Sequence, residues 1–112
     1  MTPERFKMLV EGRLDHCLEV LTAKGHEYSR DGDRLHNFKT AARKRGVAPE
    51  EALLGMMVKH EVSIEDIARD AGRGVYASKD VLAEKIGDAI NYLLLLEGLL
   101  VERVEALPQQ KP

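Results

Sequence analysis

Residues 79–106 read KDVLAEKIGDAINYLLLLEGLLVERVEA, and this stretch decides the fold. No proline interrupts it. Ser78 stands just ahead, a side chain suited to accept a backbone N–H at a helix start, and Asp80 places a negative charge in the first turn, where the helix dipole favours it. Pro108 ends the run. At ~1.5 Å per residue such a helix is ~40 Å long. Its first half is amphipathic. From Tyr92 through Leu93, Leu96, Leu100 and Val104 it is apolar almost all round, and a helix of that kind must be covered on every side. Three shorter helices of the same chain cannot supply that cover. The stretch therefore predicts an all-α, four-helix bundle-like domain with a long C-terminal helix. It also predicts a homo-oligomer, at least a dimer, formed through that helix with the first helix as a possible contributor.

Working outward, Pro49 opens a helix with Glu50 and Glu51 in its first turn. Its apolar face carries Leu53, Met56, Met57, His60, Ile64, Ile67 and Ala71, and Gly72-Arg73-Gly74 breaks it. A second helix is expected over 34–45, capped by Asp31 or Asp33 and ended by Gly46. The run Arg43-Lys44-Arg45 complements the dipole at that helix end, with a phosphate contact as the other reading. The first helix is expected over 3–24, started by Thr2 and Pro3, striped by Phe6, Leu9, Val10, Leu14, Cys17, Leu18 and Leu21, and stopped by Gly25. Residues 26–32 (HEYSRDG) are polar and aperiodic and read as a loop. Residues 1–107 form one domain, and 108–112 form a frayed tail.

Composition agrees with this organisation. A chain of 112 residues fits one domain with a modest core, and 32% charged against 44% hydrophobic residues is a soluble globular balance. A net charge of −2 provides no field to attract nucleic acid or an acidic membrane, and no helix carries a basic stripe. Cys17 is the single cysteine, which excludes an intrachain disulfide, and its Leu-rich surroundings read as core. The N-terminus lacks the apolar run of a signal peptide, and the longest apolar run, 92–96, is too short to span a bilayer. These features predict a cytoplasmic protein with neither a membrane nor a nucleic acid as partner.

Polar residues stand where a core is expected. Glu84, Asp88 and Asn91 share one stripe of the last helix with Val81, Leu95 and Gly98. Two carboxylates one turn apart repel, and burying either is costly unless a cation offsets it. Mg²⁺ accepts such oxygen ligands in a partly hydrated, two-carboxylate grip. The other reading places both acids in solvent or pairs them with Lys85. His60 sits on the apolar stripe of the third helix as a hydrogen-bonded core residue or a ligand, with Lys59 beside it. Glu27, Tyr28, Asp31, Asp33, Arg34, His36 and Asn37 add polar groups that a closed bundle brings to one end.

The segments Lys24-x-x-Glu27-Tyr28, Asp33-Arg34-Leu35-His36-Asn37-Phe38, Met56-Met57-Val58-Lys59-His60 and Glu84-Lys85-Ile86-Gly87-Asp88-Ala89-Ile90-Asn91-Tyr92-Leu93 resemble a group of small phage and prophage proteins. That group is similar to the nucleotide-modification-associated family and, more distantly, to the all-α MazG-like nucleoside triphosphate pyrophosphohydrolases. The resemblance runs over about 24–96. The distant relation implies a helical oligomer that holds Mg²⁺ on helix-borne carboxylates and cleaves a nucleotide between its α and β phosphates. Of the paired E-x-x-E and E-x-x-D signature, Glu84-Lys85-Ile86-Gly87-Asp88 resembles the second half, with Lys85 where an acid is expected and Glu84 displaced by one position. The first half has no clean counterpart, since Glu61 and Glu65 are four apart. Under the resemblance Glu84 and Asp88 hold the metal, with His60 or Glu27 completing the catalytic set. Lys24, Arg34 and Lys59 neutralise phosphate, Asn37 and Asn91 hydrogen-bond the nucleotide, and Tyr28 stacks on a base. The alternatives are a nucleotide- or protein-binding oligomer of the same fold without turnover, which Lys85 favours, and a purely helical oligomerisation module.

Overall fold

The structure is a computed structural model that describes residues 1–108, with His26 and Tyr28 described by backbone alone. Four α-helices follow one another: α1 (Pro3–Tyr28), α2 (His36–Arg45), α3 (Pro49–Gly72) and α4 (Lys79–Glu105). No strand occurs among the described residues; Arg30 and Asp33 form one isolated bridge. The expected starts of α1 and α4 are present. The Thr2 hydroxyl accepts the Arg5 N–H at 3.1 Å, and the Ser78 hydroxyl accepts the Val81 N–H at 3.1 Å. Pro49 opens α3, and Gly46 closes α2 in left-handed geometry with Arg43, Lys44 and Arg45 in the last turn. Pro108 lies outside α4; the rest of the tail expected to fray, 109–112, lies outside the described residues.

Two expectations around the first connection are corrected. Gly25 does not stop α1, which continues through Glu27 to Tyr28, so the first three residues of the expected loop are helix. A Cβ at Gly25 would make ordinary contact with the Arg34 side chain at 3.4 Å. The reversal is made further on by Asp31 and Gly32, both at positive φ (53° and 75°), between Arg30 and Asp33, which exchange two backbone hydrogen bonds. Positive φ at both central residues is what a tight Asp-Gly reversal requires. As a result α2 begins at His36, and Asp33 binds the Leu35 N–H at 2.9 Å without capping the helix itself.

Helix directions follow from a few contacts. Arg13 donates to the Ala83 carbonyl and the Cys17 thiol to the Gly87 carbonyl, the same offset in sequence, so α1 runs parallel to α4. Glu50 pairs with Arg103 and His60 lies near Asp88, so α3 runs antiparallel to α4. Leu35, Phe38, Leu53 and Leu99 form the core where α2 and α3 meet the C-terminal half of α4, with Met56, Tyr92, Leu95 and Leu96 packed around them. The arrangement is bundle-like but open: α1 lies along α4, and α2 packs on α3. The Cα radius of gyration is 17.1 Å, against roughly 13–14 Å for a compact chain of this length.

Charges tie the C-terminal end of α4 to its neighbours. Arg103 grips Glu50 with two guanidinium hydrogen bonds, which holds the Glu50 carboxyl below its ordinary value. Lys39 reaches Asp33 at 2.7 Å and Glu102 at 2.9 Å. Hydrogen bonds from Lys39 and then the Leu35 N–H hold the Asp33 carboxyl below its ordinary value, and the Asp33 and Glu102 bonds raise the Lys39 ammonium. A lowered carboxylate stabilises above its unfolded pKa and loses that contribution as pH falls; a raised ammonium stabilises below its unfolded pKa and loses it as pH rises. The cluster thus supports the fold between roughly pH 4 and pH 10. Lys39→Met should lower unfolding stability at pH 7 by up to about 1 kcal/mol, these groups being partly solvated. It should also flatten the loss of stability below pH 4, measured by urea titration across pH. An unchanged acid limb would contradict this account.

Candidate functional site

A cavity of about 530 Å³ opens between α1 and α3, floored by α4 and roofed by α2. Parallel α1 presents Val20, Leu21 and Lys24 to it, while antiparallel α3 presents Met56, Lys59 and His60. Asp88, Asn91, Tyr92 and Leu95 enter from the cavity-facing stripe of α4, where spacings of three and four place them together. Arg34, Asn37 and Phe38 close the end nearest the Asp31–Gly32 reversal. A second cavity of about 600 Å³ continues along the α1–α4 cleft. It shares Val20, Lys24, Asp88 and Asn91 with the first and adds Arg13, His16, Asp80 and Glu84.

The apolar wall is ordered by ring contacts. Tyr92 meets Phe38 edge-on at a centroid distance of 6.4 Å and His60 at 5.0 Å with the rings tilted 41°. His60 Nδ1 lies 3.9 Å from Asp88 Oδ2, close enough for attraction between imidazolium and carboxylate but beyond hydrogen-bond length. Lys24, Arg34 and Lys59 reach the cavity from α1, from the turn before α2 and from α3. None of the three has an ion-pair or hydrogen-bond partner among the described residues. Asn91 is 8% exposed, and its Oδ1 is buried without a hydrogen-bond partner among the described residues. An orphaned buried acceptor costs about 1–3 kcal/mol.

The expected metal ligands are brought to one cleft but not to one point. Asp88 is partly shielded, with 34% of its side chain exposed, whereas Glu84 is 64% exposed with Lys85 Nζ 4.0 Å away. No group of three or more His, Cys, Asp or Glu among the described residues is arranged to hold an ion. The donor set still matches a hydrated Mg²⁺, which takes one or two carboxylates and completes its shell with water and phosphate oxygens.

The cavity thus gathers Lys24, Arg34, Asn37, Lys59, His60, Asp88 and Asn91 from the residues expected at a site. Glu84 lines only the adjoining cavity. Glu27 is exposed on the last turn of α1 and lines neither, because the helix carries it past the cavity. The Tyr28 side chain lies outside what the structure describes. Sequence reasoning missed Tyr92 and Phe38 as the aromatic wall, although Tyr92 follows Asp88 by one turn on the same face. It also missed Arg13, a charge set on the stripe between Val10 and Cys17. Comparison with family models, with characterised proteins and with solved structures finds no match. The class that fold and site define is therefore an all-helical chain with one cation-rimmed, aromatic-walled cavity.

Asn91→Leu should stabilise the fold by about 1 kcal/mol, since it removes the orphaned acceptor and the cavities on either side leave room. Chemical denaturation measures this. A marked destabilisation would mean that Asn91 has a structural partner.

Proposed function

We propose that this chain binds a nucleoside triphosphate in the cavity between α1 and α3. The observation that carries the reading is the convergence of Lys24, Arg34 and Lys59, without partners among the described residues and drawn from three separate elements, on one cavity with an aromatic wall. Unpaired cations around a concavity favour a polyanion, and Arg34 offers a phosphate its planar fork. The apolar wall of Phe38, Tyr92 and Leu95 suits a base, with Asn37 and Asn91 as amide partners for its polar edge. The resemblance of 24–96 to phage and prophage proteins related to the nucleotide-modification-associated family supports the same ligand class. A cytoplasmic location goes with this reading, and among the described residues no helix is long and apolar enough to cross a membrane. We take the working form to be a homo-oligomer, because one face of the second half of α4, with Leu93, Leu100 and Val104, stays exposed in the single chain.

A second reading adds turnover, as a Mg²⁺-dependent pyrophosphohydrolase. It is favoured by Asp88 and Glu84 sharing one cleft wall, with His60 beside Asp88. Mg²⁺ bound there would supply charge neutralisation at the phosphates and polarise a phosphoryl oxygen. Within the chain, the His60 ring packs on Tyr92 and lies 3.9 Å from the Asp88 carboxylate. The proximity of Lys85 to Glu84 weighs toward binding without cleavage.

The test is thermal stabilisation by deoxynucleoside triphosphates with and without Mg²⁺, read alongside pyrophosphate release. Binding should raise the melting temperature, and Arg34→Ala or Lys59→Ala should weaken the apparent affinity by about tenfold or more, the scale of one lost charged hydrogen bond. Asp88→Asn should remove the Mg²⁺ dependence and any pyrophosphate release. Absence of stabilisation at millimolar nucleotide overturns the proposal. Stabilisation without release retains binding and eliminates turnover.

A further inference from the structure

The face of α4 turned away from the cavity carries a second pattern. Ile86, Ile90, Leu93, Glu97, Leu100 and Val104 follow one another in alternating steps of four and three, the spacing of a helix that pairs with another along a seam. Asp88 and Asn91 lie on the opposite side of the helix. In the single chain the seam is open: Leu93 is 52% exposed, Leu100 46% and Val104 67%. A groove of about 460 Å³ runs along its C-terminal half, lined by Leu93, Leu96, Glu97, Leu100, Val101 and Val104 among others. On α1, Leu14 and Leu18 are exposed as well.

From this geometry we infer that the seam pairs with the same seam of a second copy, the two α4 helices running antiparallel about a twofold axis at Leu93. Three features select that occupant. Extended to Leu82, the stripe is symmetric about Leu93 at its ends but not at Ile90 and Glu97, for Leu82 lies as far before Leu93 as Val104 lies after it, and Ile86 as far before as Leu100 after. An antiparallel partner therefore sets Leu93 against itself, Ile86 against Leu100 and Leu82 against Val104. The one charge in the seam, Glu97, decides the direction. A parallel pair would place the two Glu97 carboxylates against each other, whereas the antiparallel pair separates them along the axis by about 12 Å and sets each near Ala89. That distance exceeds the screening length of about 10 Å at 0.1 M salt. Size points to a small interface. A seam about 33 Å long and one helix diameter of ~10–12 Å wide covers roughly 330–400 Å² per copy, below the ~800 Å² that a standard interface buries, and exposed Leu14 and Leu18 can add to it. A heptad-spaced seam asks for a helix of matching length, and α4 is one.

This inference rests on the homo-oligomeric reading above and goes beyond it in direction and register; it does not depend on the ligand. Sedimentation of the full chain should show a dimer, and Leu93→Glu should give a monomer with unchanged helical content. In a Cys17→Ala background, Leu93→Cys should form a disulfide-linked dimer on mild oxidation. Ile86→Cys and Leu100→Cys should each fail alone and cross-link when the two are mixed. A monomeric wild-type chain overturns both the oligomer and this arrangement. A dimer in which Ile86→Cys and Leu100→Cys each cross-link alone is parallel, and one in which none of the three cross-links uses another face. Either result overturns the antiparallel seam and leaves the oligomer standing.

Discussion

Everything in this fold is hung on α4, and the governing constraint is that one helix must satisfy three different surroundings along its circumference. One side packs against α2 and α3 through Leu99, Tyr92 and Leu96. A second side receives α1 through the Ala83 and Gly87 carbonyls. The third is apolar and open. Because α1 is parallel and α3 antiparallel to the same helix, the two flank it without meeting closely, and the cavity is the space this leaves between them. The site is a consequence of topology before it is a matter of side chains. A shorter α4 would give neither the gap nor the residues that floor it.

One polar group in that gap runs against the preferences of a folded interior. Asn91 forgoes a hydrogen bond at a buried position, and three cations reach the same concavity without an ion-pair partner among the described residues. A sequence selected for stability alone removes such features, by an apolar residue at position 91 or an acid opposite Lys59, because each change gains stability at little structural cost. At the helix junctions beside the cavity charges are paired. Arg103 grips Glu50, and Lys39 is shared between Asp33 and Glu102. The contrast with Lys24, Arg34 and Lys59 lies within one molecule.

Element boundaries marked by local chemistry were legible: Thr2-Pro3, Ser78 and Ala48-Pro49 state where helices begin, and each does so through one hydrogen bond or one fixed φ. Gly25 does not mark a boundary because glycine is tolerated inside a helix as well as at its end, and the residue alone does not tell the two apart. The Asp31-Gly32 reversal was written in the sequence but was overlooked within a polar stretch. Most of the cavity residues were also legible, since a polar group on an apolar stripe is visible without coordinates. What could not be read was the pairing between stripes. Whether α1 lies parallel or antiparallel to α4 decides if Lys24 or Arg13 stands opposite Asn91, and periodicity carries no information about direction. The exclusion of Glu27 follows from the same gap, because one additional turn of α1 moves it past the cavity.

The open face of α4 and the cavity are connected through α1. That helix is held to α4 by two side chain-to-carbonyl hydrogen bonds and by the buried Cys17, while Phe6, Leu9, Leu14 and Leu18 remain exposed. Local openings cost least where few buried contacts resist them, and α1, which carries Lys24 and Val20, is the wall with the fewest. Under the proposed pairing, covering Leu14 and Leu18 would remove apolar area from water only while α1 stays seated, so a second copy would add to the stability of that wall without touching the cavity. Affinity for the proposed ligand between α1 and α3 would then rise with the fraction of chains whose wall is seated. On that proposal the long apolar helix and the polar cavity answer one requirement, because α1 borders both.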